Sequence, residues 1–115
     1  MTDEQAVELL KAIRDHAGLE LATIRDAGTH GADSGFGGFT YYGDTSEFYE
    51  ANHALLWQLL SEDAEEFGYD SVPAFVASFN RADMADDETG FECLVSWYAL
   101  ETAGRWLTDR QEARV

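Results

Sequence analysis

Basic side chains are scarce: Lys11 is the one lysine in 115 residues, and six arginines bring the basic total to seven. Cysteine is scarcer still. Cys93 stands alone, so no intramolecular disulfide can form, and a reducing compartment is the expectation. No apolar run approaches the roughly 20 residues needed to span a bilayer. The opening Met1-Thr2-Asp3-Glu4 is acidic, where a signal peptide would be basic and then apolar. Together these features predict a cytoplasmic chain with no membrane partner.

Acid is abundant: 23 Asp and Glu give a formal charge of −16. Such a field repels nucleic acid and anionic membranes, so direct nucleic-acid binding is not expected. It attracts basic proteins over a Debye length of about 10 Å at moderate salt. Apolar residues nevertheless make up 45%, with seven Phe, five Tyr and three Trp. A chain of this size and content can bury one core, and residues 1–115 read as a single acidic helical domain.

Thr2-Asp3-Glu4-Gln5 has the form of a capping box. Val7, Leu10, Arg14, Ala17, Leu21 and Ile24 follow at helical steps, flanked by Ala6, Leu9 and Ile13. They predict one helix over about 3–27, with a kink admitted at Gly18. From Gly28 to Gly43 six glycines mix with Phe36, Phe39, Tyr41 and Tyr42, a segment expected to lie across an open face of the core. Asp44 is the predicted N-cap of a second long helix. Its stripe of Phe48, Ala51, Leu55 and Leu59, widened by residues that include Phe67, ends at Gly68 as C′ residue. Ser71-Val72-Pro73 opens a short helix to about Asn80. Thr89-Gly90-Phe91-Glu92 predicts a third capping box, and the helix over about 90–110 is apolar around most of its circumference, hence central. The fold class is mainly α: three long helices, one short one, and the glycine- and aromatic-rich piece at about 28–43.

Catalytic constellations are thin. Glu50-x-x-His53 puts a carboxylate and an imidazole one helical turn apart, as di-iron bundles do, but those bundles need two such pairs and two more glutamates. His16 and His30 lie outside any ligand spacing. Asp83, Asp86, Asp87 and Glu88 share only composition with a calcium loop. Cys93 has no positive neighbour in sequence to make it a nucleophile. Gly35-Phe36-Gly37-Gly38 lacks the Lys and helix-opening Ser or Thr of a phosphate loop. No enzyme, cofactor or metal is expected.

The distribution of acid is more informative. Between Asp44 and Glu92 there are thirteen acidic residues and one basic one, Arg81. Glu62, Asp63, Glu65 and Glu66 crowd the end of a helix, where carboxylates oppose the macrodipole. Carboxylates about 5–6 Å apart on a helix are on the scale of phosphate spacing along a strand, and could occupy a groove of Arg and Lys that normally tracks a backbone. The expected partner contacts are Glu62, Asp63, Glu65, Glu66, Asp83, Asp86, Asp87 and Glu88, with Tyr41 and Tyr42 as aromatic anchors.

Gly38-Phe39-Thr40-Tyr41-Tyr42-Gly43-Asp44-Thr45, then Phe48-Tyr49, resembles a pattern in an uncharacterised family of small acidic phage and prophage proteins. So does Trp97-Tyr98-Ala99-Leu100-Glu101, followed two residues later by Ala103-Gly104. The resemblance spans about residues 28–107 and implies no catalytic residues. By size and charge the chain is also similar to DNA-mimic antirestriction and anti-CRISPR proteins. That likeness implies an anti-defence inhibitor of a basic host protein or nucleoprotein complex, such as Cas or restriction machinery. The alternatives are a halophilic or phage accessory domain whose acid serves solubility, and a metal enzyme using Glu50 and His53. The aromatic excess leaves room for a homodimer.

Overall fold

The computed structural model describes residues 1–30, 42–79 and 88–113. Among these residues there are six helices and no strand: α1 (Asp3–Ala17), α2 (Leu21–His30), α3 (Tyr42–Ala51), α4 (His53–Glu66), α5 (Val72–Ala77) and α6 (Glu88–Ala113). The mainly-α expectation holds, with more breaks than the periodicity suggests. The glycine-rich segment falls largely outside the described residues.

α1 starts on the predicted capping box: Thr2 Oγ1 accepts from the Gln5 amide at 3.1 Å, and Gln5 Oε1 accepts from the Thr2 amide at 2.8 Å. It ends at Gly18, whose φ of +65° is left-handed and whose amide donates to the Arg14 carbonyl at 2.9 Å. Gly18 therefore terminates the helix instead of kinking it, and α2 is a separate element. The buried face of α1 is Ala6, Leu9, Leu10 and Ile13, a fully apolar i, i+3, i+4, i+7 set. Of the predicted stripe, Leu10 and Ile24 are buried, whereas Val7, Arg14 and Leu21 face solvent.

The second long helix is broken at Asn52 (φ −123°, ψ 22°). Its backbone amide and its side-chain Nδ2 both donate to the Phe48 carbonyl, each at 3.1 Å. A side chain that bonds its own preceding turn competes with the helical ladder, and here it divides α3 from α4. α3 opens at Tyr42, so Asp44 lies in its first turn and not at its N-cap. α5 starts as expected, with Ser71 Oγ accepting from the Ala74 amide at 3.1 Å and Pro73 in the first turn, and ends at Ala77, short of the predicted 80. α6 begins at Glu88, which places Thr89 within the helix and removes the predicted third cap.

α6 is central, as its apolar circumference predicts. It packs against α1, α2, α3 and α5, and Leu94, Val95, Ala99, Leu100 and Ala103 are buried along it. Cys93 is buried there too. Phe48, Leu56, Leu60 and Val76 complete the core from α3, α4 and α5. Full burial of a side chain of this kind stabilises by about 1.5–3 kcal/mol, so this cluster, not the charged surface, holds the fold.

Candidate acidic and aromatic interface

The end of α4 is built by its termination. The Tyr69 amide donates to the Ala64 carbonyl at 2.8 Å and the Gly68 amide to the Glu65 carbonyl at 3.2 Å. With Gly68 at φ +83°, this is a complete Schellman motif. A Cβ on Gly68 would meet nothing within 4 Å, so only the left-handed backbone demands glycine there.

The reversal swings two aromatic rings out of the helix line. Phe67, which the sequence periodicity assigned to the apolar stripe, is 62% exposed, and Tyr69 is 38% exposed. Both rest on Phe75 of α5, Phe67 stacked at a centroid distance of 5.9 Å and Tyr69 tilted at 5.3 Å. Beneath them Phe75 meets Phe79 at 5.2 Å and Tyr98 at 5.6 Å, and Phe79 stacks on Tyr98 at 5.2 Å. An aromatic column thus runs from the central helix to the surface. Its exposed end carries Glu65, Glu66 and Asp70, all exposed, and a groove of about 430 Å³ lies beside it, lined by residues including Ser61, Glu65, Tyr69 and Asp70.

The predicted contacts divide. Glu62 is exposed and accepts from Gln5 Nε2 at 3.4 Å, which ties α4 to the capping box of α1. Asp63 is half-buried and accepts a short hydrogen bond from the Tyr98 hydroxyl, so it anchors the column from within. Burial first, and then the Asp63 carboxylate, push the Tyr98 phenol well above its ordinary value of 10.0. Glu65 and Glu66 are exposed. Tyr42 and Glu88 lie in the first turns of α3 and α6. Tyr41, Asp83, Asp86 and Asp87 fall outside the described residues.

Glu50 and His53 do not share a helix: they straddle the break at Asn52. The His53 ring packs instead on Tyr49 at 5.4 Å and Trp57 at 5.6 Å, and Trp57 Nε1 donates to the Tyr49 hydroxyl at 2.6 Å. Among the described residues no group of three or more His, Cys, Asp or Glu is placed to hold a metal ion. No helix of these residues is long and apolar enough to cross a membrane.

A second aromatic and acidic corner joins the start of α1 to the end of α6. Arg110 pairs with Asp3 and lies over the Trp106 ring, its guanidinium carbon 4.9 Å from the centroid; Trp106 Nε1 donates to Asp3 at 3.4 Å. The hydrogen-bonded guanidinium holds the Asp3 carboxyl below its ordinary 3.8. Here the sequence offered a signal that went unread: Trp106 and Arg110 are four residues apart on one helix. Glu92, assigned from sequence to a cap, is instead buried to 7% exposure on α6.

No curated protein and no solved structure matches the chain. A family model does match it, over residues 6–113, which is nearly the whole described fold. The chain belongs to the family described as domain of unknown function DUF7222.

Proposed function

We propose that the protein acts by binding, not catalysis, and that its α4–α5 end docks onto a basic surface that normally receives nucleic acid. The observation that carries this reading is the charge layout. Residues 42–79 contain eight carboxylates and no Lys or Arg, and Glu62, Glu65 and Glu66 stand exposed in the last turns of α4. Carboxylates at a helix C-terminus oppose the macrodipole and repel one another at i, i+3 and i+4 spacing, at a few tenths of a kcal/mol per pair. Local stability does not account for that arrangement, whereas a cationic partner does. A phage anti-defence role, with Cas or restriction complexes as the partner, fits this chemistry and the resemblance to small acidic phage proteins.

The test is capture of purified Cas and restriction complexes on the immobilised protein, at about 0.1 M and about 0.5 M salt. The expected result is capture of one complex that weakens at the higher salt, is displaced by DNA, and is lost in a Glu62→Gln, Glu65→Gln, Glu66→Gln variant. A second reading, acid for solubility in brine, is favoured by the single lysine. It predicts a domain that needs molar salt to fold, and a melt that is unchanged between low and high salt removes it.

A further inference from the structure

We infer that the α4–α5 corner is an arginine-recognition surface, which takes guanidinium groups of an arginine-rich segment on the exposed faces of Phe67 and Tyr69. This rests on the binding reading above and specifies the partner's chemistry. Three observations converge on it. The first is exposure: Phe67 is 62% and Tyr69 38% accessible, although the fold had an apolar platform on which both already sit. The Schellman turn at Gly68 presents them rigidly, so little ordering remains to be done on binding.

The second is charge. Glu65 and Glu66 precede the two rings, Asp70 follows them, and all three carboxylates are exposed. A neutral apolar partner would have to desolvate this rim without compensation. A lysine would satisfy the charge, but its compact, strongly hydrated ammonium gains less from a ring face. Guanidinium is planar and weakly hydrated, stacks on aromatic faces, and offers a fork that matches a carboxylate.

The third is a precedent within the molecule. At the α1–α6 corner an indole, a carboxylate and Arg110 form this same three-part contact, with the guanidinium over the ring and paired to Asp3. The α4–α5 corner repeats the aromatic and acidic parts in a stretch, 42–79, that has no Lys or Arg of its own. A partner supplies the third part.

The probes are the peptides hexa-arginine and hexa-lysine, titrated calorimetrically into the full chain at low salt. The expected result is about tenfold tighter binding of hexa-arginine, about 1.4 kcal/mol. A Phe67→Leu, Tyr69→Leu variant, which keeps the apolar contact with Phe75, should bring the two peptides to equal affinity without weakening hexa-lysine. Equal affinities in the unaltered protein, falling together in the Glu62→Gln, Glu65→Gln, Glu66→Gln variant, would overturn arginine recognition while leaving the acidic docking face in place. Binding of neither peptide would remove both. Sedimentation without peptide closes the other route: a dimer dissociated by Phe67→Leu would make the corner a self-interface and overturn the inference.

Discussion

The two aromatic corners of this molecule are made of the same parts and are finished differently. At the α1–α6 corner, Trp106 and Asp3 already hold Arg110, so charge and ring face are both satisfied from within. At the α4–α5 corner, Phe67 and Tyr69 sit among Glu65, Glu66 and Asp70, and residues 42–79 contain no Lys or Arg. One corner closes the fold and the other faces outward. Burial alone does not separate them, since both are partly exposed. The placing of cations does: Arg110 lies over Trp106 at one corner, whereas at the other residues 42–79 hold no Lys or Arg and the guanidinium acting on the column is that of Arg105, at Tyr98 on the central helix.

The largest expected effect breaks the outward corner from beneath. Phe75 is 5% exposed and touches Phe67, Tyr69, Phe79 and Tyr98. Phe75→Ala should cost about 3–5 kcal/mol in urea unfolding. Trp106→Ala, on a half-buried ring at the other corner, should cost clearly less. Comparable losses would show that both corners are equally structural.

Next in size is Tyr98→Phe, which leaves the half-buried Asp63 carboxylate without its donor, at about 1–3 kcal/mol. Its pH dependence has a definite sign. The folded phenol titrates above 10.0, so above that pH the unfolded chain has lost a proton that the folded chain keeps. Stability from this group is complete below 10.0 and falls as pH rises toward the folded value. Alkaline melting curves should therefore fall less steeply for Tyr98→Phe than for the unaltered protein.

The smallest effects have opposite signs. Glu65→Gln with Glu66→Gln should raise the melting temperature slightly at low salt, by relieving a few tenths of a kcal/mol, and the gain should vanish in high salt. Asp3→Asn should lower it. The Asp3 carboxyl titrates below 3.8 when folded, so its contribution is present above that value and lost as pH falls through the lowered one. The deficit of Asp3→Asn should accordingly disappear in acid. Equal signs for the two variants would erase the distinction between the corners.

Much of this architecture is legible in the sequence, and the rest was hidden for different physical reasons. The caps at Thr2 and Ser71, the stop at Gly68 and the central last helix all follow from local patterns that act over three or four residues. The break at Asn52 is local too, but it depends on a side-chain amide choosing the Phe48 carbonyl, a choice that periodicity does not encode. Moving that boundary also dissolves the Glu50 and His53 pair. At the candidate site, the carboxylates of α4 were evident from charge crowding, whereas the outward turn of Phe67 was not. A phenylalanine at helical spacing reads as core until the capping geometry places it one residue beyond the last turn. The role of Asp63 under Tyr98 spans 35 positions and could not be read from either neighbourhood.

The central helix also follows, in chain order, every described element it packs on. α6 supplies the partner surface for α1, α2, α3 and α5, so during synthesis Leu9, Ile13, Ile24, Phe48 and Val76 lack that surface until residues near 100 have left the ribosome. A chain in that condition exposes apolar faces and is prone to aggregate. The eight carboxylates of residues 42–79 precede α6 in the chain and give such a chain like charge, which favours solubility. The carboxylates exposed on α4 of the finished protein thus also oppose association of chains that still lack α6.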